Sequence, residues 1–582
     1  MTLYFEKKMK SLEPVYTKTA ECQDCYKCLR QCEVKAIKIQ ENHARIMPEL
    51  CILCGNCVRV CPVGAKRVRD DIEKAKLLLK MKKRVIISLA PSYISEFDGV
   101  STESLIASFK KLGFWGVSET ALGAEEVSAN VADNVKNTGK WGMISSACPT
   151  IVKFIKKYHP KLASNVTDLL SPALTHCKML RQFYGPETGV IFVGPCIAKK
   201  AESDLSDLMD AALTFEEIRR WWISAGIDIA AICPDQNDKL IPYNSKEGAL
   251  YPVDGGMITG IEANCRVDDS RFMAFSGIRN INAALKKIES VEPGKSLFLE
   301  LLACEGGCVN GPASDVTGAT IIKRCRVLDN GNYLDRSWPR KAATDISAKW
   351  PIEAAENTDH DPADVNEALQ KIGKYDRADE LNCGSCGYDS CRAFANALLD
   401  GKSEVGMCVG YMRKLAAKKA DAVISAMPSG VVIVDENLKI VESNRRFAEM
   451  IGSELVSIHD LNSNLKGAVI GKIIPLQNLF EHVLNGHTDH IEKDIKLNDG
   501  RFVHISLFTI EASRLVGGII QDITEPAIQK ERIVRKAREI MTKNLETVQK
   551  IAFLLGENAS DSEVILKSIV NSFSTDEVYD AQ

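Results

Sequence analysis

Residues 301–312, LLACEGGCVNGP, place Cys304 and Cys308 on either side of a Glu-Gly-Gly turn. Glycines there let the backbone curl tightly and approach a bulky group. Two earlier cysteines have equally marked surroundings, Cys148 in SSACPT and Cys196 in VGPCIAKK. Four cysteines, each close to Gly or Pro, suggest one buried metal cluster. The chain of 582 residues carries twenty cysteines in all. A secreted disulfide scaffold would be short, so these cysteines read as metal ligands in a reducing compartment.

A second set lies in residues 1–75, as Cys22-x2-Cys25-x2-Cys28-x3-Cys32 and Cys51-x2-Cys54-x2-Cys57-x3-Cys61-Pro62. This resembles the two-cluster pattern of bacterial ferredoxins, in which the fourth cysteine of each run serves the other cube. The pattern implies one 4Fe–4S cluster on Cys22, Cys25, Cys28 and Cys61, and another on Cys51, Cys54, Cys57 and Cys32. Glu33 stands where the first run would ordinarily have proline. Paired zinc sites are the alternative, but zinc favours two separated pairs of ligands over a run of four.

The elements that must position the first set lie in residues 83–340. Strand-like runs at 84–90, 189–194 and 296–302 alternate with helical stretches such as 101–112, where Leu105, Ile106, Phe109 and Leu112 share a face. This alternation predicts an α/β domain with largely parallel sheets. Cys148, Cys196 and Cys304 fall just past strand-like runs, where open α/β sheets place their sites.

The segments SSACPT, GPCIAKK and LACEGGCVNG resemble the three active-site signatures of FeFe hydrogenases, TSCCPA, MPCxxKK and MACxGGCxxG. With the ferredoxin-like runs, the resemblance covers residues 1 to about 340. It implies that Cys148, Cys196, Cys304 and Cys308 hold the 4Fe–4S part of an H-cluster. Cys308 would also bridge to a diiron unit carrying CO, cyanide and a dithiolate amine. Lys199 would hydrogen-bond a cyanide, a charge-assisted contact, and Pro195 and Ser146 would line the same pocket. H2 and protons would be the substrates. The departures matter equally. Ala147 stands where the family has its proton-passing cysteine, and losing a positioned acid/base group costs about 10²–10⁴-fold in rate. Gly194 and Leu302 replace pocket methionines. The run 123–134, GAEEVSANVADN, has Glu125 and Glu126 early, with Asn130 and Val131 where relay glutamates are expected. Cys177, Cys233, Cys265 and Cys325 lack ligand spacing and read as structural.

Residues 341–376 are polar and acidic and read as a linker with a short helix. Residues 377–415 hold Cys383-x2-Cys386-x4-Cys391-x16-Cys408, resembling the small four-cysteine cluster domain of corrinoid iron–sulfur proteins and some redox sensors. This implies a third further 4Fe–4S cluster, with structural zinc as the alternative. Residues 418–525 resemble a PAS domain, from ISAMPSGVVIVDENLKIVESNRRFAEMIG to the closing LVGGIIQDIT. The plainer reading is any small α+β domain with one antiparallel sheet. His487 and His490 read as a solvated loop. Residues 526–582 read as C-terminal signalling helices, one over 526–556 and a shorter one over 562–573. They would either dock on their own domain or pair as a dimer coiled coil.

The fold class expected is therefore multidomain, α/β and α+β. Net charge is −3 with no basic block, which argues against nucleic acid or an anionic membrane as partner. No apolar run reaches a membrane span, and the N-terminus MTLYFEKKMK lacks a signal-peptide core, so a cytoplasmic location is expected. The functional expectation is a sensory FeFe hydrogenase of low turnover, a homodimer through its C-terminal part, relaying to a kinase or phosphatase. The alternatives are a metabolic hydrogenase exchanging electrons with a ferredoxin-like partner, and a hydrogenase-like protein lacking the diiron unit.

Overall fold

The computed structural model describes residues 13–138, 142–264, 270–288, 296–315, 317–330, 341–350, 352–355, 360–461, 465–486, 488–497, 500–555 and 579–580. Cys265, His487, Gly556 and the expected helix at 562–573 lie outside the described residues. The chain divides into two compact units, residues 1–409 and 410–582. No described helix is long and apolar enough to cross a membrane.

The first unit opens with a duplicated module. Strand Val15–Thr17 pairs antiparallel with Lys66–Val68, and Ile37–Gln40 pairs with His43–Ile46. Two short helices, Lys27–Arg30 and Asn56–Val60, carry Cys28 and Cys57. Each follows a left-handed residue, Tyr26 at φ 52° and Gly55 at φ 73°, which turns the chain back around its cysteines. Only glycine suits position 55, where a Cβ would sit 2.3 Å from Pro312 Cβ.

Residues 83–330 build two parallel sheets. The first has strand order Gly116–Glu119, Val85–Leu89, Gly189–Gly194, Ala211–Thr214. Its central strands are buried throughout and rich in Val and Ile, as a sheet covered on both faces requires. Phe109, Phe192, Phe215 and Trp222 fill the core around it. The second sheet runs Ser270–Ser276, Ser296–Leu302, Met143–Ile144. The α/β expectation with parallel sheets matches this architecture.

Helix starts are fixed by side chains that satisfy free amides. Ser171 accepts from Leu174 N ahead of Pro172–Tyr184, and Thr214 forms a reciprocal capping box with Glu217 ahead of Phe215–Ser224. The same Glu217 accepts from Lys200 Nζ at 2.9 Å, and Lys200 also reaches Asp71 Oδ2 at 2.9 Å. Arg69 bridges Asp71 and Asp204, so a buried ion network ties the cysteine-rich module to the α/β part.

The segment read as a linker is a strap over its first half. Leu170 N donates to Ile346 O at 2.8 Å and Ala348 N to Asp168 O at 3.0 Å, while Ile346 is fully buried. Composition misled here because these bonds are made by the backbone, and Trp350 adds its ring beneath Lys156. Helix Pro362–Lys371 then packs on helix Cys391–Leu399, whose Phe394 and Ala395 are buried.

The second unit is a sheet with the order Ile440–Ser443, Gly430–Asp435, Leu515–Asp522, Phe502–Glu511, His490–Lys496, and Tyr579–Asp580 at its edge. The first five strands pair antiparallel. Asn444 caps helix Arg445–Ile451 and makes four hydrogen bonds, accepting from Val431 N and Phe447 N and donating to Ile424 O and Ser429 O. Helix Thr524–Leu555 follows, and none of its described side chains is buried.

Candidate metal centre

Three loops at the C-terminal ends of parallel strands converge on one point. Cys148 precedes helix Pro149–Tyr158, four residues after strand Met143–Ile144. Cys196 lies two residues past strand Gly189–Gly194, ahead of helix Ala198–Leu205. Cys304 lies two residues past strand Ser296–Leu302, and Cys308 opens the turn Cys308–Asn310. Gly306 and Gly307 carry φ of 76° and 95°, and a Cβ on Gly307 would lie 2.2 Å from Pro252 O. Glycine is therefore required for Cys308 to reach the same point as Cys304.

The four thiols feel one another. Burial pushes the Cys196 thiol up to about 11, with Cys148 adding to it. Burial first, then Cys148 and Cys196, raises Cys308, and Cys304 is raised by burial and by Cys308, Cys196 and Cys148. Four clustered thiols withdrawn from water fit a cubane, because metal coordination removes the protons that burial would otherwise retain. The donor set and the glycine turn thus suit a 4Fe–4S group.

A cavity of about 110 Å³ opens beside Cys148, Cys196 and Cys308. Its other walls include Ala90, Ala124, Ala147, Ala173, Phe192, Pro195, Lys199, Tyr251 and Leu302. The walls are chiefly apolar, which suits a small apolar substrate and excludes water. Lys199 is buried and donates to Ser171 Oγ at 2.9 Å and to Glu202 Oε2. Glu202 follows Lys199 by three residues on one helix, a spacing readable in the sequence, whereas nothing in the sequence signals Ser171 or Phe192. At Gly194, a Cβ would lie 2.6 Å from Phe192 Cζ, so the phenyl ring occupies that side of the wall.

Ser146 does not line this cavity. Its hydroxyl contacts Thr167 Oγ1 at 2.9 Å and donates to Leu169 O at 2.8 Å. A buried hydroxyl turns toward partners, and here both come from residues 167–169. The two glutamates of the 123–134 run are committed to loops, while Asp133 is exposed. Glu125 accepts from Lys246 N, and Glu126 Oε1 accepts from Ala343 N and Thr344 N at 2.6 Å each. Asn130 donates to Glu126 O at 2.9 Å, and Val131 is fully buried.

The N-terminal cysteines form neighbouring groups. Burial, then Cys54, Cys51 and Cys32, raises the Cys57 thiol, so the fourth cysteine of the first run sits with the second run. Cys28 is raised by burial and feels Cys22 and Cys25. Burial acts to raise the Cys61 thiol, but the amides of Lys66, Val63 and Ala65 outweigh it and hold it low. Cys54 adds to the rise of Cys304, and both line a second cavity of about 360 Å³. Cys386 feels Cys408 and Cys383, and Cys391 is buried at the head of its helix. Cys177 is buried as expected, but Cys233 and Cys325 are exposed, so they are not core residues.

In comparison with known proteins, residues 83–312 match the family described as iron only hydrogenase large subunit, C-terminal domain. Residues 44–67 match the 4Fe-4S binding domain and 379–409 a putative Fe-S cluster family. Iron hydrogenase 1 of Clostridium pasteurianum is 24% identical over 377 residues, 53% of this chain and 66% of that protein. The NADP-reducing hydrogenase subunit HndD of Solidesulfovibrio fructosivorans is 24% identical over 50% of this chain and 61% of its own length. The chain thus spans less than two thirds of these curated relatives. The cytosolic Fe-S cluster assembly factor NAR1 of Meyerozyma guilliermondii is 25% identical over 36% of this chain and 40% of its own. Among solved structures, FeFe-hydrogenase HydA1 of Chlamydomonas reinhardtii matches 46% of this chain and 91% of its own, at 16% identity and a TM-score of 0.36. The PAS domain of an HTR-like protein from Haloarcula marismortui matches 20% of this chain and 97% of its own, at 18% identity and a TM-score of 0.15.

Proposed function

Because the chain is an FeFe-hydrogenase-like iron–sulfur protein, we propose that it is a sensory hydrogenase that binds H2 and oxidises it slowly. Cys148, Cys196, Cys304 and Cys308 hold the cubane of an H-cluster in this reading. When bound, the diiron unit supplies the open iron and bridging amine at which H2 separates into two protons and two electrons. Cys308, on the cavity wall, would be the thiolate shared between that unit and the cubane. The Lys199 ammonium, held by Ser171 and Glu202, places a positive charge beside an anionic ligand. Phe192, Leu302 and the surrounding alanines exclude water.

The observation that carries the proposal is Ala147 on the cavity wall beside Cys148, Cys196 and Cys308. A methyl group accepts no proton. The wall hydroxyls of Thr120 and Tyr251 are engaged with Ser88 at 2.8 Å and Ser128 at 2.9 Å, whereas the buried Ser92 hydroxyl on the same wall has no partner among the described residues. Ligands are kept while the proton exit is altered, which suits detection over flux. Cys32, Cys51, Cys54 and Cys57, and Cys22, Cys25, Cys28 and Cys61, would hold two 4Fe–4S groups, and Cys383, Cys386, Cys391 and Cys408 a third, which would together supply one-electron carriers. The C-terminal unit acts as a PAS module of a cytoplasmic homodimer that signals to a kinase or phosphatase.

H2 turnover of the maturated protein tests this. The native rate is low, and Ala147→Cys raises it by about 10²–10⁴-fold. High native turnover unchanged by the cysteine would support a metabolic enzyme instead. The likeness to NAR1 favours a second reading, an iron–sulfur protein without the diiron unit.

A further inference from the structure

The four-cysteine segment packs on the N-terminal module. Strand Ile37–Gln40 leaves its Ile39 amide pointing away from its partner strand, and that amide donates to Lys402 O at 3.0 Å. Glu41 N donates to Glu404 Oε1 at 2.8 Å. An exposed strand edge is a ready site for pairing, and here the chain's own segment covers it. On the far side of that contact, Gly387 approaches so closely that a Cβ would lie 2.9 Å from Leu29 Cγ. Leu29 stands between Cys28 and Cys32, one from each N-terminal cysteine group. Tyr388, next to Gly387, is buried in the same contact, and its hydroxyl accepts from Ser403 Oγ at 2.8 Å.

We propose that the face around Leu29–Cys32 is the docking site of the chain's own four-cysteine domain, which accepts electrons there and closes that face to an external electron carrier. The inference rests on the reading that Cys383, Cys386, Cys391 and Cys408 hold a 4Fe–4S cluster. In the transfer, a reduced N-terminal cubane is oxidised by one electron and the small-domain cubane is reduced by one. No bond forms or breaks, and no proton moves. H2 supplies two electrons and releases two protons, so each molecule oxidised reduces two cubanes. The contact is short because glycine at 387, at φ 96°, adds no side chain between the cysteine loops.

The test uses full-length, cluster-reconstituted protein reduced with dithionite, which needs no H-cluster. Electron paramagnetic resonance is expected to show the small-domain cubane magnetically coupled to the N-terminal pair. Gly387→Val forces the loops apart, and the coupling is lost while iron content is unchanged. Because this variant strains a left-handed residue, Glu404→Ala, which removes the contact to Glu41 N and also the side-chain cap on the Met407 amide before Cys408, is measured beside it with its iron content, and it weakens the coupling while iron is retained. A magnetically isolated small-domain signal in the native chain would overturn the docking route. Iron and sulfide content unchanged in Cys386→Ala would overturn the inference differently, by showing that no cluster is held there.

Discussion

Lys200 is fully buried, and its ammonium is held by Asp71 Oδ2, Glu217 Oε1 and Ala212 O, each at 2.9 Å. Lys200→Met keeps the length of the side chain and removes the charge. Breaking a buried ion pair from one side costs about 3–5 kcal/mol, because a charge is left uncompensated. The lower end applies here, since neither carboxylate is orphaned. Asp71 keeps Arg69 Nε at 3.0 Å, and Glu217 keeps Thr214 N and Thr214 Oγ1 at 2.7 Å each. At about 2–4 °C per kcal/mol for a domain of this size, a loss of about 3 kcal/mol lowers Tm by roughly 6–12 °C. Thermal unfolding of the reconstituted chain, with the double variant Lys200→Met/Glu217→Gln alongside, measures it. The double variant regains part of the loss, because Glu217, hydrogen-bonded but without its counter-charge, no longer buries a negative charge. A single-variant Tm within roughly 2 °C of native, a loss below about 1 kcal/mol, would refute the view that this network holds the Cys196 loop to the N-terminal module.

His176 bonds Ser88 Oγ and Ser118 Oγ at 2.8 Å each, and burial pushes its imidazole down to about 3. The unfolded chain takes up that proton near pH 6.5, so the folded state loses stability as pH falls from about 6.5 toward 3, by about 1.4 kcal/mol per unit. Urea midpoints measured across this range should fall toward acid, and His176→Gln should flatten that limb while lowering stability overall. Ser146→Ala removes a hydroxyl tied to Thr167 and Leu169 and should cost about 1–3 kcal/mol while leaving infrared bands of bound CO and cyanide in place. Shifted bands there would mean that Ser146 touches the diiron unit after all.

The metal centre was legible because cluster ligation imposes spacing on the chain itself: Cys304 and Cys308 flank their glycines, and each N-terminal run repeats its intervals. The parallel sheets were legible from Val- and Ile-rich runs ending at Pro91 and Pro195. What escaped reading depends on groups far apart in sequence. The direction of the Ser146 hydroxyl is set by residues 167–169. The strap at 341–355 is held by its backbone, to which a polar composition is indifferent. Phe192 enters the cavity because residue 194 has no side chain, a relation that spans neither a motif nor a helical repeat. Cys233 and Cys325 looked like core cysteines by type, yet exposure is decided by which face of a loop or helix they occupy.

Infrared spectroscopy of the maturated chain, with and without H2, decides whether a diiron unit sits beside Cys308 and responds to the gas. Bands from CO and cyanide ligands are expected, with a shift on adding H2 that reverses on its removal. Absence of such bands in protein with full iron content would contradict the sensory reading and leave an iron–sulfur protein without a diiron unit.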